Sequence, residues 1–73
     1  MDIVEALRIG MTREEVVQAL GEPHDTGGTS RRHRMPCIYK YGDIELHFNI
    51  GRNGGLRMAY KEDEEGNGII LLQ

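Results

Sequence analysis

The feature that most constrains this chain is a run of flawless alternation, Asp43-Ile44-Glu45-Leu46-His47-Phe48-Asn49-Ile50. A period of two marks a strand with one buried face, because successive side chains leave a pleated sheet on opposite sides. Ile44, Leu46, Phe48 and Ile50 are therefore expected on a core, with Glu45, His47 and Asn49 facing away. Just upstream, Tyr41-Gly42-Asp43-Ile44 suits a two-residue hairpin of type II′, with glycine first. That turn pairs Tyr41 with Ile44 and Tyr39 with Leu46, and a slip of one residue would send the aromatic rings to the wrong face.

The meander continues from there. Gly51-Arg52-Asn53-Gly54-Gly55 makes a second turn, and Leu56, Met58 and Tyr60 carry the apolar face onward. Residues 62–68 make a third turn, and Ile69-Ile70-Leu71-Leu72 an edge strand. Strands are thus expected at about 37–41, 44–50, 56–61 and 69–72. The core face collects Cys37, Tyr39 and Tyr41 with the aliphatics, and the open face carries Ile38, Lys40, Glu45, His47, Asn49, Arg57, Ala59 and Lys61. Glu45 is expected beside both Lys40 and Lys61.

The N-terminal third reads as helical. Asp2 and Glu5 have capping-box spacing, and Ile3, Val4 and Leu7 share a face, giving a short helix over about 2–8 that Gly10 ends. Thr12 and Glu15 repeat the spacing, Met11 is placed to pack on Val16, and Val16, Val17 and Leu20 form a stripe. Gly21 and Pro23 close this second helix, over about 13–20. Residues 21–36, with glycines, prolines and no period, read as a long loop. The expected fold is a single α+β domain over 1–73: two N-terminal helices packed on one face of a three- to four-stranded antiparallel meander.

With 38 % hydrophobic residues, 73 positions fill one thin core and no more. The longest aliphatic run is the four residues 69–72, far short of the roughly 20 that a spanning helix needs. The acidic start, Met1-Asp2-Ile3-Val4-Glu5, is unlike a signal peptide, and one cysteine, Cys37, suits a reducing compartment, so the expected location is cytoplasmic. A net charge of −3 argues against nucleic acid as the partner. The charge is unevenly spread: six acids against two bases over residues 1–30, four bases and no acid over 31–42, and four consecutive acids at 62–65.

The stretch Ile9-Gly10-Met11-Thr12-Arg13-Glu14-Glu15-Val16, closing at Leu20-Gly21-Glu22-Pro23, resembles the opening of a known domain type. It is similar to the BamE-like small lipoproteins of the outer-membrane barrel-assembly machine and to the tandem domains of the β-lactamase inhibitory proteins. The resemblance implies two helices followed by an antiparallel sheet, and a habit of binding proteins through the sheet and its loops. No functional residue of either family carries over.

Several constellations suggest chemistry, each beside a plainer account. Cys37 with His33 or His47 suggests a nucleophile and base, but alternation puts Cys37 and His47 on opposite faces. His24, His33 and Cys37 suggest zinc, yet in an extended segment positions 33 and 37 lie roughly 13 Å apart. Asp63, Glu65, Asn67 and Gly68 echo half of a calcium loop, whose twelfth position falls past the end of the chain. Gly27-Gly28-Thr29-Ser30-Arg31-Arg32-His33-Arg34 offers backbone donors and arginines to a nucleotide phosphate, without the P-loop pattern. No cofactor or metal is expected. The expected function is a small non-enzymatic protein-binding module, an adaptor, inhibitor or immunity-type protein, with a phosphate-sensing loop as the alternative. The expected partner is another protein, an acidic one included, or a second copy meeting the C-terminal edge. The residues that would carry contact are Arg31, Arg32 and Arg34 in the loop, Lys40, Glu45, His47, Arg57 and Lys61 on the open face, and Ile70 and Leu72 at the edge.

Overall fold

A computed structural model describes residues 3–29, 31–32, 34–51 and 53–73. Among these residues one helix, α1 (Arg13–Leu20), follows a single 3₁₀ turn over Ile3–Ala6. Five strands follow: β1 (Asp25–Gly27), β2 (Ile38–Tyr41), β3 (Ile44–Phe48), β4 (Leu56–Glu62) and β5 (Gly68–Leu72). They form one antiparallel sheet in sequence order.

Helix α1 begins where its capping box places it. The Thr12 side chain accepts from the Glu15 N–H at 3.1 Å, and the Glu15 carboxylate accepts from the Thr12 N–H at 3.1 Å. It ends at Gly21, whose φ of 85° places it in the left-handed half of the map while its N–H donates to Val17 O. Val16 is wholly buried, and Met11 and Leu20 pack against the same core.

The helix expected over 2–8 is a correction. Only the 3₁₀ turn forms, with Leu7 N–H bonded to Val4 O. Asp2, half of the expected capping box, lies outside the described residues. A segment this short gains little as an isolated helix. Tertiary pairing captures the chain just beyond it: Gly10 N–H donates to Leu56 O at 2.8 Å, and Leu56 N–H donates to Met11 O at 2.7 Å. That contact needs glycine at 55, where a Cβ would lie 2.6 Å from the Gly10 carbonyl oxygen.

The expected loop over 21–36 contains β1, so the sheet has five strands rather than three or four. Three residues, Asp-Thr-Gly, carry no alternation to read. Pairing with β2 holds them, Asp25 to Lys40, Thr26 to Tyr39 and Gly27 to Ile38. The bracing comes from side chains outside the strand. The Tyr41 hydroxyl donates to Gly21 O at 2.8 Å, and His24 Nδ1 accepts from Gly42 N–H at 2.9 Å.

The β2–β3 hairpin has the register read from its turn, Tyr41 opposite Ile44 and Tyr39 opposite Leu46. Gly42 has φ 66° and Asp43 does not share a positive φ, the pattern of a II′ rather than an I′ turn. Beyond β3 the expected faces fail. Phe48 is opposite Leu56 but His47 is opposite Met58, so Arg57 is an extra residue in a bulge. From there β4 is inverted: Ala59 is fully buried opposite Leu46, Lys61 lies opposite Ile44 on the helix side, and Met58 and Tyr60 join the open face. Glu45 consequently lies opposite Tyr60, not Lys61. Ile50, expected inside, is 66 % exposed past the end of β3. A second bulge leaves Leu71 between Ile70, opposite Tyr60, and Leu72, opposite Ala59. Leu71 and Leu72 both pack on the core, which shortens the free apolar edge expected at 69–72.

Arg13 holds the β3–β4 connection in this shape. The residue is 5 % exposed, and its guanidinium donates to Pro36 O, Gly51 O, Gly54 O and Asn49 O at 3.0–3.3 Å. It also lies over the Phe48 ring, 4.9 Å from the centroid, with Tyr39 edge-on to the same ring. A buried cation is tolerated here because carbonyl oxygens replace the water it loses. The core it completes is Leu7, Val16, Tyr41, Leu46, Phe48, Leu56 and Ala59. No helix among the described residues is long and apolar enough to cross a membrane.

The open sheet face as candidate interface

The face of the sheet turned away from α1 carries two cross-strand rows. The first runs Asp25, Lys40, Glu45, Tyr60, Ile70, one residue from each strand. The second runs Gly27, Ile38, His47, Met58. Directly opposed side chains on one face touch, so each row reads as a continuous strip. The first changes character along its length, from alternating charges at β1 to an aromatic ring and then an aliphatic side chain at β5.

Where the two rows lie side by side sits a cluster of Glu45, His47 and Tyr60. His47 Nε2 lies 3.3 Å from Glu45 Oε1, both side chains about a quarter exposed. This is ion-pair distance without hydrogen-bond alignment, and Nε2 has no other partner among the described residues. The imidazole packs against the Tyr60 ring at 5.2 Å between centroids. Partial desolvation and then the nearby Glu45 carboxylate push the Tyr60 phenol pKa up, so the hydroxyl stays protonated and able to donate.

Of the residues singled out in the sequence, Lys40, Glu45, His47 and Ile70 come together on this face. Ile70 is 55 % exposed and Ile69, beside it on the edge, 40 %. Arg57 is exposed at the bulge, outside both rows. Lys61 and Leu72 lie on the helix side. Arg31, Arg32 and Arg34 are exposed in the segment before β2, with no ion pair to a described residue, and Arg34 has φ 54°. Ser30 and His33, which belong to the phosphate and zinc readings, lie outside the described residues, and Gly27 is part of β1.

Tyr60, Met58 and Asp25 were missed as open-face residues. The first two were missed because a bulge inverts a strand without marking its sequence. Ala59 was the available signal, since a small apolar residue between Met58 and Tyr60 lets either parity face a core. Arg13 was missed too, although a cation in the first turn of a helix opposes the macrodipole and so signals a role elsewhere.

The remaining constellations take structural places. Cys37 is half-buried with Sγ 4.0 Å from Arg13 Nη2, and its backbone bonds to Gly27 and Phe48. No group of three or more metal-binding side chains occurs among the described residues. The Asp63 carboxylate accepts from the Glu65 and Asn67 N–H groups at 2.9 and 2.8 Å, which holds its pKa below the usual range. Those donors occupy the oxygen a calcium ion would need. No family model, curated protein or solved structure matches this chain.

Proposed function

We propose that this chain is a non-enzymatic protein-binding module that docks its partner along β5 and the adjoining open-face row. One observation carries the reading: β5 is an outer strand whose Ile69 and Ile70 remain exposed, and Ile70 stands beside Tyr60, with His47 against the Tyr60 ring, on the face that no helix among the described residues covers. An outer strand presents unpaired N–H and C=O groups, and β5 has no lysine or proline to discourage pairing. Strand addition supplies affinity through the main chain, and the flanking Ile70 and Tyr60 supply selectivity. Lys40, Glu45 and Asp25 form a charged rim on the same row. The four acids of residues 62–65 lie beside the N-terminal end of β5 and favour a partner that is basic there. In the cytoplasm such a module acts by occlusion or recruitment.

Site-specific photocrosslinking tests this. A crosslinking side chain at position 70 is expected to capture one protein in stoichiometric yield, and one at Ala19, exposed on α1 across the sheet, far less. An adduct of twice the chain's mass makes the partner a second copy, and any other discrete mass a different protein. Equal, diffuse crosslinking from both positions removes β5 as the interface.

A further inference from the structure

A groove of about 520 Å³ lies on the other side of the sheet, between α1 and the segment that enters β2. Its floor is Val17, Met35 and Tyr39, all half-buried, and Glu14, Gln18 and Glu22 stand along its α1 side. This volume falls within the range of sites that hold small ligands or peptide side chains. The electrostatics are one-sided. Arg13 is the only cation among the described residues that line the groove, and its guanidinium is already taken by the carbonyls of Pro36, Asn49, Gly51 and Gly54. Glu14 and Glu22 are exposed and form no ion pair with a described residue. The Tyr39 hydroxyl likewise has no hydrogen-bond partner among the described residues. The groove thus offers an apolar floor, an aromatic ring and two unneutralised carboxylates.

We propose that this groove docks an extended basic segment of a partner protein. The chemistry follows from the lining: Lys and Arg side chains bury an apolar stem while keeping a charged head in water. The spacing follows as well. Glu14 stands in the first turn of α1 and Glu22 just past its Gly21 cap, so the two bracket an eight-residue helix about 12 Å long. In an extended peptide, positions one and five point the same way and lie about 13 Å apart. The docked segment therefore reads basic–x–apolar–x–basic, with its ends on Glu14 and Glu22 and its middle side chain over Val17, Met35 and Tyr39. This site is separate from β5 and stands or falls without it.

The probe is a fluorescein-labelled peptide, Gly-Arg-Ser-Leu-Ser-Arg-Gly, followed by anisotropy at low salt. It is expected to bind, and about tenfold more weakly to a Glu14→Lys/Glu22→Lys double variant, two rim charges being worth about that much together. Glu14→Gln/Glu22→Gln is expected to flatten the salt dependence. Both pairs are exposed, and a melting curve on each variant separates lost binding from lost fold. A peptide with Glu in place of Arg, and one with the arginines adjacent, are expected to bind about tenfold more weakly. Equal binding of all three peptides, or none at millimolar concentration, overturns the proposal. So does a salt-sensitive dimer that the Lys substitutions dissociate, since the groove would then hold residues 31–34 of a second copy.

Discussion

The β2–β3 hairpin and the β3–β4 connection are neighbours in one sheet, yet they are specified in different ways. The hairpin is local. Gly42 sets the turn, the turn sets the register, and perfect alternation along β3 keeps each side chain on its expected face. The β3–β4 connection is held from outside itself. The carbonyls of Asn49, Gly51 and Gly54 converge on a guanidinium from α1, and Leu56 pairs with Gly10 and Met11. The bulge at Arg57 and the inversion of β4 follow from that anchoring. A local turn resists change at most positions but one, whereas an anchored turn fails when its distant anchor goes.

The largest effect is therefore expected from Arg13→Met, which leaves several partly buried carbonyls without donors. Loss of about 3 kcal/mol is expected by denaturant titration, a large share of the stability of so small a domain. Arg13→Lys keeps the charge but not the fork, and an intermediate loss is expected. A loss no greater than that of an exposed substitution would detach the connection from α1. Next comes Gly55→Ala, whose methyl would meet the Gly10 backbone, at about 2 kcal/mol. Its signature is faster amide exchange at Gly10 and Leu56 with β2–β3 unchanged. Gly42→Ala is expected to cost about 1 kcal/mol, since φ of 66° is strained for any side-chain-bearing residue. Its effect should stay within β2 and β3; spread to β4 would show the two regions to be less separate than drawn.

The smallest effect near neutrality concerns Tyr41. Burial, then the neighbouring Tyr39 and Glu22, push its phenol pKa up to about 12 from 10.0. The folded state favours the neutral phenol, so this contribution is whole below pH 10 and is lost as pH rises toward 12. Urea midpoints are expected to fall across that window. In Tyr41→Phe, which also loses the bond to Gly21 O, the midpoint should start lower and this decline be reduced. An identical decline in both proteins would place the titration elsewhere.

The open face was partly legible for the same reason. Lys40, Glu45 and His47 lie on strands governed by the local hairpin, and they share the face their parity indicates. Tyr60 and Lys61 lie beyond the bulge and exchange sides. The edge was legible in composition but not in extent, because a second bulge turns Leu71 and Leu72 onto the core and leaves Ile69 and Ile70 as the exposed part.

What the chain wrote into its sequence is what forms between residues three or four apart, or across two: the Thr12–Glu15 cap of α1, the turn at Gly42, and the register of β2 on β3. Tertiary structure decided the rest. It made a strand of Asp25–Gly27, reduced the first expected helix to one turn, inverted β4, and buried Arg13 among carbonyls. Each of these depends on hydrogen bonds between residues ten or more apart in the chain. Those bonds exist only once the sheet and helix have met, so no local spacing announces them.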